Sequence, residues 1–207
     1  MPASTTMRNS VPCCRWTRPS SAPTSTQPAR GPGSAQGADA SYTFSPDEPA
    51  DHAIGRSLGG LTTKIHALTD ERCSPLTVQL TAGQAGDNPM LRPLLDEHRI
   101  TTRDPFRLLA DKAYSHNSTR ERLRKMKISH TIPEKSDQIA WRTAKGSMGG
   151  RPPAFDPELY SSRNTVERGF SRLKHWRGIA TRYDKYALAY LGGVTLASIV
   201  IHHRVRN

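Results

Sequence analysis

The chain has 207 residues, and its 30 Lys and Arg outnumber 18 Asp and Glu to give a formal net charge of +12. That length fits one domain with a tail, and the charge points to an anionic partner, most commonly nucleic acid. Three scattered cysteines, Cys13, Cys14 and Cys73, exclude a disulfide framework and a metal knuckle and fit a reducing, cytoplasmic setting.

Residues 1–50 contain 8 Pro, 8 Ser, 7 Ala, 6 Thr and 3 Gly, with no apolar period of 2 or 3.6. Such a segment buries too little surface to offset its ordering entropy, so it is expected to be a disordered tail. The fold is expected over residues 51–207. Charge is unevenly spread there. Residues 51–111 hold 7 basic and 8 acidic residues, whereas residues 112–182 hold 16 basic and 6 acidic.

From Gly55 onward the pattern reads as α/β. Leu61–Leu68 and Leu76–Leu80 form a strand pair around the turn at Asp70, Glu71 and Arg72. Asp87 or Asn88 caps a helix running to about His98, with Pro89 in its first turn. Arg107–Ala110 is a short buried strand, Ser118–Lys127 a basic helix and His130–Pro133 a strand. A polar loop spans Glu134–Pro157. Glu158 to about Trp176 reads as one long helix. The uncharged apolar run from Tyr186 to Ile201 has 16 residues, short of a membrane span, and reads as a buried helix. No secretory signal opens the chain, because Arg8 is not followed by an apolar run. No membrane partner is expected.

Two places carry candidate chemistry. In Leu108-Leu109-Ala110-Asp111-Lys112-Ala113-Tyr114, an aspartate directly follows an apolar strand, at the edge where open α/β sheets place their sites. The ordinary alternative is an Asp that caps the next helix. In the long helix, Tyr160, Arg163, Glu167 and Lys174 fall within a stripe about 60° wide. Leu159, Val166, Phe170 and Leu173 form the neighbouring apolar stripe. Glu167 therefore sits on the border of core and solvent. Here the ordinary alternative is a solvated face with an i,i+4 pair between Arg163 and Glu167.

Together these motifs resemble bacterial insertion-sequence transposases of the DDE class. Asp111, Ala113 and Tyr114 match the family's second-aspartate motif. Tyr160, Arg163, Glu167 and Lys174 match every gap of its Tyr-Arg-Glu-Lys signature. The flanks Gly55-Arg56-Ser57, Gly59-Gly60-Leu61-Thr62-Thr63-Lys64-Ile65-His66, Gly83-Gln84 with Asp87, and Ala180-Thr181-Arg182-Tyr183-Asp184-Lys185 are also similar, so the resemblance spans about residues 49–203. It implies a ribonuclease-H-like mixed sheet flanked by helices. The implied activity is metal-dependent cleavage and strand transfer of double-stranded insertion-sequence ends. Asp111 and Glu167 would be catalytic carboxylates and ligands of Mg²⁺, with Mn²⁺ as a substitute, since hard oxygen ligands suit both ions. Tyr160, Arg163, Lys174, Lys112 and Arg168 would lie along the DNA; the Gly146–Pro153 loop with Arg142, Lys145 and Arg151 reads as a mobile phosphate clamp, its ordinary alternative being a basic surface loop. The resemblance also implies a homo-oligomer, or a mixed oligomer with intact transposase, in a bacterial nucleoid.

The family's first aspartate belongs to the first strand, in a Val-Asp-Ser-Thr-like string, and no such string occurs in residues 1–54. Asp39, Asp47 and Asp51 have Pro/Ala-rich surroundings, and Asp70 belongs to a turn. The sheet is thus expected to be incomplete at its first strand and this copy to be inactive. The tail suggests why. The Trp16–Thr17 junction always reads GAC, an aspartate codon, in a shifted frame, and allowed codons for residues 15–28 give Val-Asp-Ser-Thr-Ile-Val-Arg-Ala-His-Gln-His-Ala-Ala-Gly. The competing explanation is a Ser/Pro-rich linker whose shifted reading is coincidence. Three other readings compete for the whole chain. They are a noncatalytic DNA-binding remnant that regulates intact transposase, an RNA-binding basic protein, and a host ribonuclease-H-like nuclease.

Overall fold

The computed structural model describes residues 10–17, 45–57, 60–101 and 106–206. Among these, six strands form one mixed sheet: β1 (Ser10–Thr17), β2 (Gly55–Ser57), β3 (Gly60–Thr69), β4 (Pro75–Ala82), β5 (Arg107–Ala110) and β6 (Ser129–Thr131). β4, β3 and β1 are antiparallel neighbours, β1 to β5 and β5 to β6 are parallel, and β2 pairs with the start of β3. This is the expected ribonuclease-H-like arrangement.

The expectation of a vacant first strand is corrected. Ser10–Thr17 fills the position between β3 and β5, with Cys13 opposite Leu68 on one side and Ala110 on the other. The reason is physical. Both neighbours present backbone donors and acceptors to the gap, burying them unpaired is costly, and an extended segment satisfies both rows whatever its side chains. Within residues 1–50, which composition reads as a tail, the described parts are this strand and residues 45–50, which form hydrogen-bonded turns. The rest of that segment, including residues 18–28 of the shifted-frame reading, lies outside the described residues.

The β3–β4 hairpin forms as its alternation requires, with Ile65 opposite Leu80. Asp70 organises its turn by accepting from the amides of Arg72 (3.0 Å) and Ser74 (2.7 Å). Leu68, Leu108 and Ala110 point to one face of the sheet. There they pack with Leu91, Leu94 and Leu95 of α1 (Leu91–Thr101) and Leu123 of α2 (Asn117–Lys125). Ile65 and Ala67 point to the other face.

Three boundaries differ from expectation. The loop after β6 contains α3 (Ser136–Ala144) and a 3₁₀ turn over Gly146–Gly149. None of α3's residues is buried, so the segment has no apolar period to announce a helix. The long helix is two pieces, α4 (Pro157–Ser161) and α5 (Asn164–Lys174). Ser161 bonds back to the Glu158 carbonyl (2.6 Å), and tighter i→i−3 bonds cross Ser162 and Arg163. Third, the final helix extends beyond its apolar run. After α6 (Arg177–Ala180), α7 (Ala187–Arg206) is long and apolar enough to cross a membrane by length and composition, which the shorter run did not suggest. Its Tyr190, Val194, Ala197 and Ile201 are nevertheless buried against Ile65, Ala67 and α5's Val166, Phe170 and Leu173.

Two buried charges tie this face together. Arg182 donates to the carbonyls of His52 (2.8 Å), Asp184 (3.0 Å) and Lys185 (3.1 Å) and to Thr63 Oγ1, and it lies over the Tyr190 ring. The Glu48 carboxylate, 5% exposed, accepts from the amides of Ala187 (2.7 Å) and Leu188 (2.9 Å) at the start of α7 and pairs with His52 Nδ1 (2.7 Å). Burial alone would raise its pKa. The Leu188 amide, His52 and the Ala187 amide outweigh that and hold it below the ordinary 4.5. The Glu48→Ala variant should lose about 1–2 kcal/mol of stability at neutral pH, as a lost helix cap does. A depressed carboxylate pKa stabilises above its unfolded value, so this deficit should shrink as the pH falls below about 4.5, read by urea denaturation from pH 7 to 3.

Candidate active site and nucleic-acid interface

β5 delivers Asp111 to the sheet's carboxyl edge. Its Oδ1 accepts from the Lys112 amide (2.6 Å), capping the 3₁₀ turn Lys112–Tyr114. The capping alternative is thus real. It uses one carboxylate oxygen and leaves the residue at the edge, so it is compatible with a ligand role. Tyr114 is 1% exposed and anchors the turn in the core below. Behind it, buried Arg120 donates to the carbonyls of Ser115 (3.4 Å), Ile132 (2.9 Å) and Pro133 (3.3 Å), joining the turn after Asp111 to the exit of β6. Burial pushes the Arg120 guanidinium below its ordinary pKa.

On the other face, α5 presents Glu167. Arg163 Nη2 donates to its Oε1 (2.9 Å), and the Arg163 guanidinium lies 5.7 Å from the centre of the Tyr160 ring. The i,i+4 pair is therefore present, and the two halves of the broken helix still bring Tyr160, Arg163 and Glu167 together. Lys174 closes α5 two turns further on.

α5's position follows from the hairpin. A Cβ at Gly169 would lie 3.1 Å from the Cys73 carbonyl, and Arg172 donates to the Arg72 carbonyl (2.7 Å). At about 100° per residue, this flank is opposite the one carrying Arg163, Glu167 and Lys174. Glu167 thus looks away from the hairpin turn. Arg168 instead lines a shallow polar cleft with Glu71, Ser161, Ser162, Asn164 and Thr165.

Of the residues expected to form the loop clamp, Arg142 is tied to Glu134 (2.8 Å) and holds α3 to the body, together with Gln138, which donates to the Ser115 carbonyl (3.3 Å). Lys145 sits over the exposed Trp141 ring at 3.6 Å, and Arg151 is exposed. Sequence reasoning missed Arg120, Arg182 and Glu48 as structural charges. Only Arg182 had a signal, its place in a matching flank. Two further flanks explain themselves by close packing. A Cβ at Gly83 would come within 2.9 Å of the carbonyls of Gly55 and Thr62, and one at Gly55 would strike Gln84.

A family model for the transposase DDE domain matches residues 25–200. This chain belongs to the DDE transposases. A putative transposase of insertion sequence element IS6501 from Brucella ovis is 32% identical over 141 residues, which is 68% of this chain and 98% of that relative. Among solved structures, the chain is similar to the Mos1 transposase paired-end complex with left transposon end, at 12% identity and a TM-score of 0.36, covering 86% of this chain and 56% of that one. It is also similar to the Mos1 mariner paired-end complex with Mn, at 11% identity and a TM-score of 0.34, covering 95% of this chain and 54% of that one.

Asp111 and Glu167 are hard oxygen donors of the kind the family's divalent metal takes. Their number does not fit. Among the described residues no three His, Cys, Asp or Glu side chains gather into a metal-binding cluster. We expect Arg120→Ala to lose about 2–3 kcal/mol, because it leaves three carbonyls without a charged donor. Asp111→Asn should stay within about 0.5 kcal/mol, since asparagine also caps. Urea denaturation of both variants checks the contrast.

Proposed function

We propose that this DDE transposase binds the DNA ends of its insertion sequence and does not cleave them. One observation carries the reading. β1 lies between β3 and β5, where the resemblance places the first catalytic aspartate, and its sequence SVPCCRWT contains no carboxylate. Asp111 directly follows the adjacent β5, and Glu167 belongs to α5, which packs against β1 and β3. In an intact relative these two, with a third carboxylate, would hold Mg²⁺ or Mn²⁺, and the metal would activate water or a 3′-hydroxyl. Two carboxylates hold such a pair poorly.

The DNA-binding part depends on residues that are retained. Residues 112–182 carry a net charge of +10. Tyr160, Arg163, Lys174, Lys112 and Arg168 line the DNA path, with Lys145 and Arg151 on the α3 side. Arg142 acts there by fixing α3. A protein that occupies ends without cutting them can regulate intact transposase at the nucleoid, by competition or by forming mixed oligomers.

The test is a titration of element-end DNA at several salt concentrations, followed by incubation with Mg²⁺ or Mn²⁺. Binding should weaken steeply with salt, and Lys174→Ala should reduce the log–log slope by about 1. Asp111→Asn and Glu167→Gln should leave affinity within about twofold, since neither acid supplies the phosphate attraction. Cleavage by the unmodified chain, lost in Asp111→Asn and Glu167→Gln, would contradict the inactive reading. Failure to prefer element ends over random DNA would contradict the specific partner.

A further inference from the structure

We infer that β1 is a metal-ligand strand read out of frame, and that the gene still encodes the missing aspartate in the same place.

The amino acids of β1 do not suit its position. A strand with partners on both sides uses its N–H groups in the ladder and is normally apolar, so proline is confined to edges and bulges. β1 has neighbours on both sides, yet it contains Pro12, which is opposite Leu109, and Arg15, which is opposite His66. The backbone slot is right and the residues are wrong for it.

In the shifted frame four of five triplets are fixed in character whatever codons the gene uses. Proline's third base followed by the TG of Cys13 encodes Leu, Met or Val. The Cys13–Cys14 junction can read only TTG or CTG, both Leu. The next triplet varies. The third base of Arg15 followed by the TG of Trp16 again gives Leu, Met or Val, and the Trp16–Thr17 junction can read only GAC, Asp. Every gene for this protein thus holds apolar, Leu, variable, apolar, Asp across codons 12–17. As in Leu108-Leu109-Ala110-Asp111 on the neighbouring strand, an apolar residue directly precedes the aspartate.

The register places the two aspartates toward the same edge of the sheet. β1 and β5 are parallel, so their carboxyl ends open on one edge of the sheet. Cys13 is opposite Ala110, which puts Asp111 just beyond the paired region, and Trp16 and Thr17 continue β1 along that edge opposite Ile65 and Lys64. An aspartate encoded at the Trp16–Thr17 junction would stand at this end. It would supply the carboxylate that the described donors lack. This last step rests on the reading of Asp111 and Glu167 as metal ligands, whereas the frame inference itself does not.

The experiment begins with the gene. Inserting one base before codon 12 and deleting one by codon 48 yields a frame-restored protein for comparison with the present chain. The probe is Mn²⁺ alone, followed by electron paramagnetic resonance and equilibrium dialysis, with circular dichroism to show folding. The restored protein should bind Mn²⁺ at least ten times more tightly, and replacing its new aspartate with asparagine should abolish the gain. Thr17→Asp in the present chain, the position the restored aspartate takes, should give part of the same gain and serves if the restored protein does not fold. A stop codon in the shifted frame between codons 12 and 48 would overturn the inference, as would unchanged Mn²⁺ affinity in folded protein. A gain that survives Asp111→Asn would instead overturn the metal-ligand reading of Asp111 and leave the frame inference standing.

Discussion

The fold depends on the demand of β3 and β5 for a strand between them. β3 is buried along nearly its whole length, and β5 has Leu108, Leu109 and Ala110 fully enclosed. Without a partner, both would hold unpaired amides and carbonyls in the protein interior, where each costs about 1–3 kcal/mol. Filling the gap also joins the antiparallel half of the sheet to its parallel half. The connection from β3 to Asp111 runs through β1.

The helical face depends on a second constraint, the clasp between residues 45–57 and the start of α7. Among the described residues Arg182 is buried without a carboxylate in bonding contact, and its charge is spread over main-chain carbonyls, Thr63 and the Tyr190 ring. Glu48 does the complementary work at the amides of α7, where the helix dipole favours a negative charge. These contacts fix α7, and α7 buries the apolar side of α5. Glu167 is therefore positioned by residues more than a hundred positions earlier in the chain, with no direct contact between them.

The hairpin, β5 and the apolar stripe of α5 were legible because each follows a simple period, and the structure reproduces all three. The Asp111 and Glu167 motifs were legible by their spacing, although spacing could not separate a ligand from a cap or an ion pair, and the structure shows both of those local bonds. β1 was not legible. Its place is dictated by the backbones of its neighbours, so Pro12 and Arg15 argue against the strand that forms. α3 was hidden for a related reason. It is attached through Gln138 and Arg142, and an element held by polar bonds carries no apolar pattern. Arg120 and Glu48 are likewise invisible to periodicity, since a buried charge looks in sequence like a surface one.

Backbone pairing and metal chemistry respond differently to the same change in sequence. A strand can exchange every side chain and still satisfy the ladders on both sides, because the ladder uses atoms common to all residues except proline's missing N–H. A two-metal site cannot, because it needs carboxylates at fixed points and losing one removes ligands and negative charge together. Phosphate attraction lies between these cases. It is summed over many basic side chains spread across residues 112–182, so no single position decides it. On the proposed reading, a chain whose β1 has lost its carboxylate keeps its fold and its affinity for DNA while losing its chemistry. That is the combination a competitor of the intact enzyme requires.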